Sequence, residues 1–86
     1  MHFNFPKTRY ADINGIVDQA THIYSEALEV QQAVFASDMN HTAEEIMDCL
    51  HSCETALRIL HEKHAVNLSV LRRNVERKNM ERGYYE

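Results

Sequence analysis

The sequence predicts an all-α fold: two long antiparallel helices and a shorter C-terminal helix, one domain over residues 1–86, pairing with further copies into a multi-helix bundle. Three observations predict it. Two glycines and one proline in 86 residues are too few for a meander of tight β-turns. Apolar residues recur at three- and four-residue steps along most of the chain. With 44% hydrophobic and 26% charged residues, a chain this short has an ordinary composition but buries only a small core, so self-association is the expected remedy.

The elements follow in order. From Ile13 to Phe35 the residues Ile13, Ile16, Val17, Ala20, Ile23, Tyr24, Ala27, Val34 and Phe35 form one amphipathic helical stripe, with Asp12 or Asn14 available to cap it. Ser37-Asp38-Met39-Asn40-His41 reads as the loop that ends it. Thr42 then opens a second helix, with Glu45 three residues on in a capping-box pattern. This helix directs Ile46, Cys49, Leu50, Cys53, Ala56, Leu57 and Leu60 toward the core and runs to about His64. A break at Ala65-Val66-Asn67 precedes a third helix with Leu68, Val70, Leu71 and Val75 on its apolar side. Gly83 supplies the stop, because glycine tolerates the left-handed conformation that ends many helices.

Charge and cysteine usage narrow the function classes. The formal net charge is −4, which argues against duplex nucleic acid as a partner, since phosphate binding needs an excess of Lys and Arg. Residues 1–66 carry −6 and residues 67–86 carry +2, an acidic body with a basic tail. No apolar run reaches the roughly 18 residues needed to span a bilayer, and MHFNFPKTRY lacks the apolar stretch of a secretion signal. A cytoplasmic protein is expected. Cys49 and Cys53, the only cysteines, share one helix face among apolar neighbours, as small core residues in a reducing compartment do.

The first two helices also place acids. Glu26 and Glu29 fall on one flank of the first apolar stripe, beside His22, and Glu45 and Asp48 take the corresponding flank of the second. A loop of about five residues makes the helices antiparallel neighbours and sets the two pairs within a turn or two of the same height. Thirteen acids produce roughly two i, i+3 pairs by chance, so placement, and not number, carries the signal. Carboxylates that converge raise one another's pKa unless a cation lies between them. An oxygen-only donor set suits magnesium, with manganese as a substitute, better than zinc. A solvated acidic flank is the plain alternative.

Arg72, Arg73, Arg77, Lys78 and Arg82 gather near the chain's end, with Asn79, Tyr84 and Tyr85 close by. Basic residues there complement a helix dipole, but together with an acidic flank they also suit a magnesium-bound polyphosphate. Glu26-Ala27-Leu28-Glu29, fifteen residues, then Glu45-Ile46-Met47-Asp48 resembles the paired ExxE and ExxD signature of the MazG-like superfamily of all-α nucleoside triphosphate pyrophosphohydrolases. Arg77-Lys78-Asn79-Met80-Glu81-Arg82-Gly83-Tyr84-Tyr85 is similar to the KNxxRGYY tail of small, often phage-encoded, members. The resemblance covers roughly residues 20–86. It implies that Glu26, Glu29, Glu45 and Asp48 bind magnesium or orient the attacking water, and that Lys78 and Asn79, with Arg82 and Tyr84, contact the substrate. The reaction implied is cleavage of a nucleoside triphosphate between its α- and β-phosphates, releasing a monophosphate and pyrophosphate.

One departure from such relatives is that the chain has no tryptophan and a shorter front end, so no aromatic base pocket is identifiable. Phe3, Phe5 and Tyr10 read as hydrophobic staples or subunit contacts. In the mechanism expected here, one of the four carboxylates takes the proton from the water that attacks phosphorus. The histidines point elsewhere: a redox di-metal bundle would pair Glu-x-x-His motifs, which this chain lacks. His51, His61 and His64 read as surface or half-buried helix residues, and His2 and His41 as loop residues. The competing class is a non-catalytic helical oligomerisation or protein-interaction module working through its apolar stripes. For the enzyme, three helices cannot enclose both the carboxylates and a nucleotide, so a homodimer or homotetramer with sites near the interface is expected.

Overall fold

A computed structural model describes residues 2–86. They form four helices and, among the described residues, no strand: α1 (Tyr10–Ile13), α2 (Ile16–Phe35), α3 (Met39–His64) and α4 (Leu68–Glu81). The expected long first helix is shorter at its start, and the residues before it form the separate turn α1. Asn14 closes α1 and Gly15 occupies the cap of α2 without a side-chain bond. The Asn14 amide is used instead to donate to Gln19 Oε1 at 3.0 Å.

The start of α3 also differs from expectation. Asp38, not Thr42, is its cap, accepting from His41 N at 3.0 Å. Thr42 is already helical and turns its hydroxyl onto Asp38 O at 2.7 Å. An aspartate before the first turn satisfies the free N–H groups one turn earlier than the capping box would. The α2–α3 connection is therefore only a tight turn, with Ser37 in the left-handed region at φ 59°. At the other end of α3, Ala65 is left-handed at φ 54°, and the N–H groups of Ala65 and Val66 both reach back to Leu60 O. The break before α4 and its start at Leu68, capped by Asn67, fall where the sequence places them. Gly83 ends α4 at φ 75°, with Tyr84 N donating to Asn79 O.

Helix α2 packs antiparallel on α3 to make the body of the molecule, with α1 against α3. The contact follows a three-four alternation. Ile16, Gln19, Ile23, Glu26, Val30 and Ala33 face Thr42, Glu45, Cys49, Ser52, Ala56 and Ile59, all of them buried or half-buried. Such spacing keeps one seam of each helix against the other, as in helical bundles. Gln19, only 1% exposed, donates to Ser52 O at 3.0 Å and fixes the register.

The apolar stripes read from the sequence do not all turn inward. Ile13, Val17, Tyr24, Val34 and Phe35 are exposed, as are Ile46 and Leu50, while Gln19, Thr42, Ser52, Thr55 and Ile59 are buried. Apart from Glu45 and Ile59, the inner seam of α3 is built from small or hydroxylated residues, and its more apolar facet lies one position further round.

Two outer elements complete the chain. Residues 3–8 are strapped along α3: Glu54 accepts from Asn4 N and Phe5 N, and Arg58 lies 4.1 Å from the Phe3 ring centroid while donating to Phe5 O. Phe5 stacks on His51 at 4.7 Å, and His51 Nε2 donates to Pro6 O. The two phenylalanines thus pack within the chain, one of the two roles that the sequence leaves open for them. Helix α4 leaves the α2–α3 hairpin and packs little against it, which gives the molecule extents of 39 × 39 × 21 Å.

Candidate metal centre

The register set by Gln19 and Ser52 determines the chemistry one heptad along. Seven residues on from Gln19 is Glu26, and seven back from Ser52 is Glu45, so two carboxylates occupy facing positions of the inner seam. Glu29, one turn beyond Glu26, joins them. Oxygen atoms of Glu26, Glu29 and Glu45 lie within 4.8 Å of one another. The Glu26 and Glu45 side chains are only 15% and 14% exposed. Each keeps its Oε2 buried with no hydrogen-bond partner.

A buried oxygen without a donor is costly, and two beside a third acid more so. The pKa values carry the same strain. Burial, then the neighbouring Glu29, raises Glu26 above the ordinary carboxylate range, and the same two causes in the same order raise Glu45. The Gln19 layer one heptad away is polar too, but its amide is satisfied on both sides. The acidic layer differs in having two orphaned oxygens, and three carboxylates with no thiolate are a donor set that fits a hard divalent cation.

Asp48 stands apart from this triad. The helices carry the same pattern, His22-x3-Glu26-x2-Glu29 on α2 and His41-x3-Glu45-x2-Asp48 on α3. Asp48 is the counterpart of Glu29 with one methylene fewer, which shortens its reach. It stays close enough to raise both Glu26 and Glu45 electrostatically and lines the cleft beside Glu26. The matching histidines sit one turn before the inner acids, His22 Nε2 at 3.3 Å from Glu26 Oε1 and His41 Nε2 at 3.5 Å from Glu45 Oε1. His41, expected in a loop, is thus a helical neighbour of the cluster. Only the preference of Asp38 over Thr42 as the cap would have revealed this.

Two open clefts flank the triad. One, about 260 Å³, is lined by Tyr10, Gln19, His22, Glu26, Asp48, His51 and Ser52 among others. The second, about 380 Å³, meets Glu29, Gln32, His41 and Glu45. A larger hollow of about 440 Å³ lies between Phe3 and the α3–α4 junction, but His61 is its only titratable residue, so size does not locate the chemistry here. Tyr10 is the one aromatic of the N-terminal segment that borders an acidic cleft, its ring 6.3 Å from that of His22. Ser52 and Thr55 also line this cleft, though the Thr55 hydroxyl is held by His51 O at 3.1 Å.

The tail is elsewhere. Lys78, Asn79, Arg82 and Tyr84 lie at the far end of α4 and line neither cleft. Arg82 stays 5.9 Å from the Tyr84 ring centroid, and Arg72 pairs with Glu76. The chain brings Glu26, Glu29, Glu45 and, at the margin, Asp48 together, and leaves its basic end apart from them. No family model, no curated protein and no solved structure matches the chain.

Proposed function

We propose that the protein is a magnesium-dependent nucleotide pyrophosphohydrolase that cleaves a nucleoside triphosphate between its α- and β-phosphates, as the resemblance of its acidic pairs and tail to the MazG-like superfamily implies. The observation that supports the reading is the facing pair Glu26 and Glu45, each with an orphaned buried oxygen. Glu26, Glu29 and Glu45 would hold magnesium, or manganese in its place, with Asp48 at the rim. The ion would neutralise phosphate charge and acidify water. The chain's own part would be to position the polyphosphate and take up a proton, and Asp48, which is exposed and lines the Glu26 cleft, would be the carboxylate that accepts it from the attacking water. The organic part of the substrate would enter the cleft bordered by Tyr10.

Lys78, Asn79, Arg82 and Tyr84 would clamp the outer phosphates. Because they stand away from the carboxylates of their own chain, the reading calls for a second copy to supply them, hence a homodimer or homotetramer. None of the described helices is long and apolar enough to cross a membrane, and both cysteines are free. The reading places the protein in the cytoplasm, with no role on duplex nucleic acid. The exposed apolar face of the hairpin favours a second reading, a non-catalytic self-association module, in which the acids are incidental.

The experiment is to incubate the protein with a panel of nucleoside triphosphates and magnesium and measure pyrophosphate and monophosphate together. Equimolar release of both is the expected result. Release of neither, with no stabilisation of the fold by magnesium or manganese, would leave the second reading.

A further inference from the structure

Neither acidic cleft is lined by a lysine or an arginine. The Glu26 cleft offers two carboxylates and two histidines, and its neighbour adds Glu29, Glu45 and His41. A phosphate drawn there through a divalent ion still carries charge on its remaining oxygens, and a guanidinium or ammonium group is what holds those. Residues 1–66 contain four lysines and arginines, Lys7, Arg9, Arg58 and Lys63, and three of them are engaged in the fold. Lys7 pairs with Asp12 at 3.2 Å and Glu62 at 3.1 Å. Arg58 lies over the Phe3 ring and donates to Phe5 O. Lys63 donates to Asp12 O and Asn14 O at 2.9 and 2.8 Å, tying down the end of α1. Among the described residues, the Arg9 side chain enters no hydrogen bond or ion pair, and its guanidinium carbon stands over the Tyr10 ring, 5.6 Å from the centroid.

The backbone holds Arg9 at the mouth of the Glu26 cleft. Its two chain neighbours, Thr8 and Tyr10, both line that cleft. On one side Thr8 Oγ1 lies 3.4 Å from Thr55 Oγ1, at the end of the segment strapped along α3. On the other side Arg9 O accepts from Asp12 N and Ile13 N at 3.1 and 3.2 Å in α1, the short helix that Lys63 anchors. The Tyr10 ring beneath the guanidinium is in turn 6.3 Å from the ring of His22. A guanidinium over an aromatic face keeps its in-plane N–H donors free, and that fork matches two oxygens of one phosphate. A lysine there would bring the charge without the fork.

We propose that Arg9 binds the phosphate next to the organic part of the substrate, from the same chain that supplies the carboxylates. The inference rests on the pyrophosphohydrolase reading and adds to it: the phosphate beside Tyr10 is the one that leaves in the monophosphate, while the outer two belong to the tail. Arg9 therefore recognises the monophosphate product but not free pyrophosphate. The test is calorimetric titration, in magnesium, of pyrophosphate and of the nucleoside monophosphate that the parent binds most tightly from a panel. Arg9→Gln should weaken monophosphate binding about tenfold or more, the usual scale for a lost charged hydrogen bond, and leave pyrophosphate binding unchanged. Arg9→Lys should recover part of the loss and no more. The Arg9 side chain is exposed and holds nothing in the fold, so helicity by circular dichroism should match the parent in both variants. Parental monophosphate affinity in Arg9→Gln overturns the proposal, as does an equal loss for pyrophosphate, which marks a diffuse charge effect. A parent that binds no monophosphate overturns it too. The pyrophosphohydrolase reading stands or falls separately, on the parent's release of pyrophosphate and monophosphate.

Discussion

Glu26 stands across the α2–α3 interface from Glu45, one heptad along from the hydrogen bond between Gln19 and Ser52, and each acid holds one buried oxygen that no donor reaches. A helical bundle normally fills such a layer with apolar side chains. Here it holds two like charges, each with a histidine one turn before it, His22 at 3.3 Å from Glu26 and His41 at 3.5 Å from Glu45, and burial of such charges is costly.

Divalent cations should therefore raise stability. At a hundredfold excess over its Kd, magnesium or manganese should add about 2.7 kcal/mol, seen as a higher melting temperature than in chelator. Glu26→Gln and Glu45→Gln should each melt higher than the parent without metal, because a like charge is gone, and should lose the metal increment. Equal metal increments in parent and variants would remove the triad from consideration.

The pH dependence has a definite sign. Glu26 and Glu45 have pKa values raised above 4.5 in the folded chain, so in that range the folded state binds more protons than the unfolded one. Their contribution to stability therefore increases as pH falls through the raised values toward 4.5, and is lost as pH rises. Without metal, the denaturant midpoint of the parent, compared with that of the double Gln variant, should improve from about pH 7.5 to about pH 5. Saturating magnesium should reverse the trend by favouring the ionised pair.

If the enzymatic reading holds, Asp48→Ala should cut turnover by about a hundredfold or more while circular dichroism stays unchanged, since the side chain lies at an exposed position outside the inner seam. Pyrophosphate release under saturating magnesium is the readout. Parental rates in the variant would exclude Asp48 from the chemistry.

Backbone predictions are independent of function. Ala65 pays for a left-handed φ of 54°, so Ala65→Gly should stabilise the chain by about 1 kcal/mol. Asp38→Ala should cost about 1 kcal/mol through loss of the α3 cap. Urea midpoints measure both, and the Asp38 result separates this cap from a start at Thr42.

The helical hairpin, the break at Ala65–Asn67, the Gly83 stop and the nearness of Glu26, Glu29 and Glu45 were legible in the sequence, because each follows from local periodicity or one residue's conformational preference. Which facet turns inward was not. Hydrophobic patterning selects the most apolar facet, and on α3 that is Ile46–Leu50–Leu57, whereas the inner seam is Thr42, Ser52, Ala56 and Ile59. Hydroxyl and small side chains on the inner seam are ones that hydrophobic periodicity does not weigh. Gln19 was not legible for a similar reason: a buried amide is recognisable only through the partners that satisfy it, here Asn14 and the Ser52 carbonyl. Asp38 and Thr42 both suit a helix start, and only the structure chooses between them.

The tight turn at Ser37 has a kinetic consequence. Joining α2 to α3 through so few residues keeps the price of loop closure low and makes the hairpin's earliest contacts local in sequence. Refolding is expected to begin with a fast unimolecular phase that zips the two helices from the turn outward. Any pairing of chains follows as a slower bimolecular phase, and dilution in stopped-flow fluorescence would retard the second while leaving the first untouched.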